Sequence, residues 1–265
     1  MPKEKLSAKS FSYFIVTSVI FLQACITSEY NVGTGKQDIY LYSTEKEITM
    51  GCKIAKQITK EFRISSNPYD IERVNTIGQK IIQVCDRGEL SYYFYIIETD
   101  EKGEGAVNAF CIPGGYVYIF KGLLDMVNDD ELAFVLAHET GHIVSRHHIK
   151  QLQAAMGYNL IMAASAGAKA DPEFTSGLSF ALAQMLTAYS REDEFNADEL
   201  AIKYCELAGF DPQAGLEVLE KLYEEDKKNI RAISYFRTHP YPAQRIRNIR
   251  EALHVPLEPE DYINY

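Results

Sequence analysis

Residues 137–142 read AHETGH, a spacing that makes metal chemistry possible. On an α-helix, residues four apart differ by about 40° in angle and about 6 Å along the axis. His138 and His142 therefore point the same way and can share one tetrahedral zinc ion. Glu139 is turned about 100° from His138, badly placed to ligate beside it but able to reach a water next to the metal. Two ligands with an adjacent base suit hydrolysis: the metal lowers the pKa of water towards about 7, and the carboxylate takes its proton. The plain alternative is a core helix whose histidines are satisfied by backbone. Histidine is scarce, six in 265 residues, so the pattern rarely arises by chance. Gly141 also speaks against that alternative. Glycine inside a helix costs about 1 kcal/mol relative to alanine and suits a close approach.

A catalytic zinc of this kind needs a third protein ligand and one open position. Glu194 and Asp198, four apart in SREDEFNADELA, share a helix face. Glu194 can bind the metal, and Asp198 can accept the N–H at the back of a ligand histidine and fix its tautomer. Most such acidic pairs are a solvated face; this one gains weight from lying downstream of HExxH. His239 sits in THP, where Pro240 biases it to an extended backbone. Its imidazole can stabilise an oxyanion, or it can occupy the open zinc position at rest. Arg245 can bind the scissile carbonyl or pair with a carboxylate. With Glu139, these two are the candidate catalytic residues. Gly115, Tyr116 and Val117 follow a glycine turn into a strand; an open edge there would hold an extended peptide by main-chain hydrogen bonds, unless the strand is interior to a hairpin. Asn108 can orient substrate or shape the turn. His147 and His148 are expected to face away from the ligand pair or to sit at the helix end, where the dipole favours a cation.

These residues need elements to hold them. Thr44-Glu45-Lys46-Glu47 has the form of a capping box and predicts a helix over 45–62. Asn67-Pro68 starts a second helix, reaching about Cys85. YYFYIIE (92–98) and YVYIF (116–120) read as strands, with a short strand and turn in the glycine-flanked segment between. Asp129 or Asp130 can cap the helix ELAFVLAHETGHIVSRHH. Residues 151–170 form a small-residue helix or a cover near the site, and Pro172 begins another helix. The SREDEF helix ends at Gly209, Asp211-Pro212 restarts a helix, and THPYPAQRIRNIREAL gives a loop and a last helix. The fold is α+β and mostly helical, with a small, mainly antiparallel sheet beside the HExxH helix.

The composition is that of one globular domain, 46% hydrophobic and 24% charged. A formal charge of −10 makes nucleic acid a poor partner. The N-terminus reads as a leader: Lys3, Lys5 and Lys9 precede a short apolar run, then LQAC. That ending resembles a bacterial lipobox, with cleavage before Cys25 and acylation of its thiol and new N-terminus; a plain signal peptide is the alternative. Residues 1–24 are then signal peptide, 25–42 an acylated cysteine and tether, and 43–265 a single domain. By resemblance to enterobacterial lipoprotein sorting, Ile26 rather than Asp favours the outer membrane. Removing residues 1–24, which carry three lysines and one glutamate, takes the charge from −10 to −12, so lipid rather than electrostatics would hold the membrane. Of the remaining cysteines, Cys52 and Cys85 come level if the first two helices form an antiparallel hairpin, and a bridge between them is expected unless they are free core thiols.

HETGHIVSRH, SREDEFNAD, THPYPAQRI and NAFCIPGGYVYIFKGLL together resemble the HtpX-like zinc metallopeptidases, relatives of the CAAX prenyl endopeptidases. The lipoprotein members, LoiP-like and BepA-like, are closest in layout. The resemblance covers residues 40–255. It implies a gluzincin-type fold, one Zn2+ per chain, ligands His138, His142 and Glu194, and Glu139 as general base. It also implies an endopeptidase facing the periplasm that cleaves unfolded or misassembled envelope proteins; the other reading is an assembly factor or chaperone with latent proteolysis. The long apolar spans of membrane-embedded members are absent from this sequence, which speaks against prenyl-protein processing.

Overall fold

The computed structural model describes residues 27–98, 106–165, 187–228 and 234–262. The leader, Cys25 and the helix expected at Pro172 lie outside these residues. The expected tether is a folded hairpin from Thr27 onward. Strands β1 (Thr27–Asn31) and β2 (Lys36–Tyr40) pair antiparallel. Asn31 explains it: its Oδ1 accepts the N–H groups of Gly33 and Thr34, making the turn, while its Nδ2 donates to the Ser145 carbonyl at 2.8 Å. One buried asparagine shapes the turn and fastens it to the body, so the described hairpin belongs to the folded unit rather than to a tether.

Helix α1 (Thr44–Glu61) is capped by Ser43, not by the box read from the sequence. Glu47 is unavailable to the cap because it is buried between Arg87, at 3.1 Å, and Arg146, at 3.0 Å. Helix α2 (Pro68–Ile82) has the expected Asn67 cap and first-turn proline. The two helices do not form the expected hairpin, because the sheet stands between them. Strands β3 (Tyr93–Ile97), β4 (Ala109–Ile112) and β5 (Tyr116–Phe120) alternate their side chains between two cores. Phe94, Ile96, Ala109, Cys111, Val117 and Ile119 join the cluster containing α2; Ile97, Phe110, Ile112, Tyr118 and Phe120 join the one containing α1. Cys52 and Cys85 are accordingly free thiols rather than a bridge.

The sheet order is β3-β5-β4, with β3 parallel and β4 antiparallel to β5. Counting the hairpin, two of the three described strand pairings are antiparallel. Strand β5 has a neighbour on each side, so Gly115, Tyr116 and Val117 offer no open edge. The cause is the Pro113-Gly114-Gly115 turn: both glycines have positive φ, 82° and 92°, which folds β4 back onto β5. The outer side of β3 is engaged by residues 63–65 through Ser65 N–H to Ile96 O and Glu98 N–H to Arg63 O. Within this three-stranded sheet, β4 is the strand whose outer edge meets no further described strand, with an isolated bridge from Val107 to Ser234 just ahead of it.

After a short α3 (Lys121–Leu124), the HExxH helix α4 (Asp129–Val144) starts at Asn128, which forms a capping box with Glu131. From Glu131 to Val144 every residue is buried, so α4 runs through the core. It stops earlier than the sequence predicts. Arg146 takes a left-handed conformation, φ 55°, and α5 (His147–Ser165) leaves in a new direction. Helix α6 (Arg191–Ala208) runs from its Ser190 cap to Gly209. It crosses α4 at Gly141, where an added Cβ would meet the Ala197 carbonyl oxygen at 3.1 Å, the close approach that glycine implied. Helices α7 (Ala214–Lys228), α8 (Tyr235–Thr238) and α9 (Pro242–Ala252) complete the body, followed by a 3-10 turn at Pro259–Tyr262. No described helix is long and apolar enough to cross a membrane.

Gly51 of α1 faces the Pro113 carbonyl oxygen, where a Cβ would lie only 1.9 Å away. Helix propensity alone favours alanine by about 1 kcal/mol; overpacking against backbone costs about 1–3 kcal/mol and wins. Gly51→Ala is expected to lower the urea unfolding midpoint, and a raised midpoint would refute this packing.

Candidate metal centre

Helix α4 supplies His138, Glu139 and His142, α6 supplies Glu194 and Asp198, and the segment from α8 into α9 supplies His239 and Arg245. All seven side chains are fully buried. One nitrogen or oxygen each from His138, His142, Glu194 and His239 lies within 4.8 Å of the others. The Nε2 atoms of His138 and His142 are 3.0 Å apart, and Glu194 oxygens lie 3.6 and 3.5 Å from them. A tetrahedron with zinc–nitrogen bonds near 2.0–2.1 Å has edges of about 3.3 Å, so the spacing fits.

The hydrogen bonds behind these atoms settle which lone pairs face inward. His138 Nδ1 lies 2.9 Å from Asp198 Oδ1, so its proton belongs there and Nε2 presents a lone pair to the centre. Asp198 thus takes the expected role. His142 Nδ1 lies 2.8 Å from His147 Nδ1, which turns its Nε2 inward likewise. Two imidazole lone pairs and a carboxylate aimed at one buried point repel each other unless a cation lies between them. Burial and the neighbouring imidazoles hold the pKa of His142 well below its ordinary value, so the ring is neutral, as a ligand must be. Both Glu139 oxygens are buried without a hydrogen bond, as is His239 Nε2, although the two groups approach within 3.3 Å.

Arg245 takes the second of its two roles. Its Nε and Nη2 donate to Asp198 at 2.8 and 2.7 Å, and Nη1 lies 2.8 Å from Glu194 Oε2. It is spent on carboxylates and does not bind a substrate carbonyl. Burial raises the carboxyl pKa values of Glu194 and Asp198, but Arg245 together with the neighbouring histidines more than offsets it, and both lie below their ordinary range. His239 lies 3.3 Å from both His138 Nε2 and Glu194 Oε1, so it fills the fourth corner of the cluster. Asn108 precedes β4 and its Oδ1 accepts the Ala109 N–H.

Three aromatic or imidazole groups escaped the sequence reading. Tyr189 stacks on His142 with centroids 3.8 Å apart, and Tyr235 stacks on His239 at 4.5 Å. His148 bonds the Tyr189 hydroxyl and the Cys111 thiol, and burial takes its pKa to about 3. His147 and His148 do not face away, because the turn at Arg146 swings them back over the site. That turn uses a non-glycine residue at positive φ, so nothing in the sequence announced it.

The fold and the buried cluster of His138, His142, Glu194 and His239, which could hold a metal ion, fit one class, the metallopeptidases. The chain belongs to peptidase family M48, whose sequence profile matches residues 68–253. It is 31% identical over 191 residues to the metalloprotease LoiP of Escherichia coli, an alignment covering 71% of this chain and 72% of that one. A mitochondrial metalloendopeptidase of Schizosaccharomyces pombe is 32% identical over 183 residues, 68% of this chain and 52% of its own. The beta-barrel assembly-enhancing protease of Escherichia coli is 26% identical over 220 residues; the alignment takes in 78% of this chain but only 44% of that protein.

Removing Arg245 would leave Glu194 and Asp198 charged and unpaired in the interior, which costs about 3–5 kcal/mol. Arg245→Met is expected to lose that much in equilibrium unfolding. Both carboxyls titrate below their unfolded values of 4.5 and 3.8, so their contribution is full above those values and fades as pH falls through the depressed ones. The variant should lack that part of the acid dependence; a loss under about 1 kcal/mol would contradict the pairing.

Proposed function

We propose that the chain is a zinc endopeptidase acting on extended segments of unfolded or misassembled proteins in the bacterial cell envelope. One observation carries the proposal: three candidate ligand atoms converge on a buried point with a buried carboxylate, Glu139, beside them, facing His239 at 3.3 Å. Zinc bound there supplies Lewis acidity. Glu139 takes the proton of the attacking water on a carboxylate oxygen and passes it to the leaving amine nitrogen. Asp198 holds His138 in one tautomer throughout, and Arg245 holds Asp198.

The unpaired edge of β4 suits a peptide substrate. Phe120 N–H donates to Asn108 O at 2.9 Å, and by alternation the main-chain groups of Ala109 and Cys111 turn to the outer edge. Asn108 occupies the Ala109 N–H and His148 bonds the Cys111 backbone, which leaves the Ala109 carbonyl turned to that edge to pair with substrate. Such pairing reads backbone more than side chains. The edge is buried here, and His239 fills the space between Glu139 and the ligand atoms. These two facts favour a latent protease whose substrate site opens when His239 withdraws, over its use as an oxyanion donor. The envelope location rests on the lipobox-like LQAC ahead of Cys25 and on a relative named for beta-barrel assembly, with the acyl chain as tether and the outer membrane as its site. No nucleic-acid partner is expected.

Glu139→Gln is expected to keep zinc and to lose casein hydrolysis by at least 100-fold, the scale of a removed general base; cleavage at the wild-type rate would refute the mechanism. His239→Ala should keep zinc and cleave casein faster than wild type. A fall in rate with zinc retained would remove the gate and assign the imidazole to the oxyanion. Metabolic labelling with a fatty acid should mark the wild type and spare Cys25→Ser, and no label on either would sink the tether.

A further inference from the structure

We propose that His147 is a positioning residue for the metal, relaying the carboxylate of Asp193 to the ligand His142. The inference rests on zinc being held by His138, His142 and Glu194. The two ligand histidines of α4 are supported differently. His138 has Asp198 directly behind it, while His142 has an imidazole, His147, at 2.8 Å between Nδ1 atoms. With Nε2 of His142 turned inward, its Nδ1 carries the proton and donates it to His147 Nδ1. The proton of His147 then sits on Nε2, which lies 3.2 Å from Asp193 Oδ1. That approach is not aligned as a hydrogen bond, and no other acceptor serves the buried Nε2. Asp193 is held from its other oxygen: Oδ2 accepts the Ser190 hydroxyl at 2.7 Å and closes the cap of α6. One aspartate thereby fixes the start of α6, which bears Glu194, and orients the back of a ligand on α4.

The placement depends on Arg146. A continuous helix would carry His147 away from His142, five residues earlier. The left-handed turn at Arg146, φ 55°, brings it back, a conformation that strains a residue bearing a Cβ. The residue is held there from several sides. Its guanidinium reaches Glu47 at 3.0 Å, Glu29 at 3.0 Å and the Tyr42 carbonyl at 2.6 Å, and stacks over Tyr40 at 3.9 Å. Glu29 and Tyr40 belong to the β1–β2 hairpin, so the N-terminal hairpin secures the bend that aims the relay.

The test is zinc affinity, measured by competition with a chelating dye on the full chain as purified, with the unfolding midpoint of each metal-free protein measured alongside. Wild-type protein that holds no zinc overturns the zinc assignment and the relay with it. If wild type binds zinc, His147→Phe should bind it about 10–100-fold more weakly, the usual effect of removing a partner behind a metal ligand. His147→Asn, whose amide oxygen can take the His142 proton, should recover most of that loss. Asp193→Asn keeps an oxygen for the cap and should weaken zinc binding several-fold with an unchanged metal-free midpoint. Wild-type affinity in His147→Phe, or failure of His147→Asn to recover it, overturns the relay and leaves the zinc assignment standing. Should His147→Phe not fold, Asp193→Asn decides, and unchanged affinity there counts against the relay.

Discussion

The structure is governed by the need to keep charge balanced where water does not reach. Glu139, Glu194, Asp198 and Arg245 are all fully buried within one cluster. Three carboxylates face one guanidinium; burial lowers the pKa of His239, but Glu139 and Glu194 raise it on balance, a response to the negative charge that predominates there. An uncompensated buried ion costs several kcal/mol even after relaxation. A divalent cation between His138, His142 and Glu194 cancels that excess, and its largest effect is on the groups nearest it. This charge imbalance calls for a cation whatever the spacing of the histidines.

The remaining architecture keeps this cluster dry and rigid. Helix α4 contributes three of its groups from inside the core, and Gly141 lets α6 come close enough to contribute two more. The sheet shields one side with Cys111, which bonds His148 below Tyr189. The N-terminal hairpin reaches the other end of α4: Asn31 takes the Ser145 carbonyl, and Asn196 of α6 bridges Ser145 to Gly33. A segment that looks like a polar leader remnant is thereby tied to both helices that carry the buried cluster.

The parts legible in the sequence were those governed by periodicity and local chemistry. His138, Glu139, His142, Glu194 and Asp198 were found because helical spacing fixes which side chains share a face. The glycine at 141, the Asn67 cap and the Gly209 stop follow from rules that act within a few residues. What was missed depends on contacts distant in sequence. Glu47 reads as a cap residue until Arg87 and Arg146 claim it. Tyr116 reads as an edge strand until the Gly114-Gly115 turn places β4 on one side and β3 takes the other. His147 reads as a helix-end cation until a non-glycine residue turns left-handed just before it.

The central claim is that two imidazoles and a carboxylate, with no sulfur, hold one zinc ion in the core. Zinc K-edge X-ray absorption on the purified protein tests it directly. The account predicts a shell of nitrogen and oxygen at about 2.0–2.1 Å with the outer scattering of at least two imidazoles. A sulfur shell at about 2.3 Å, or an oxygen-only shell without imidazole scattering, would contradict it.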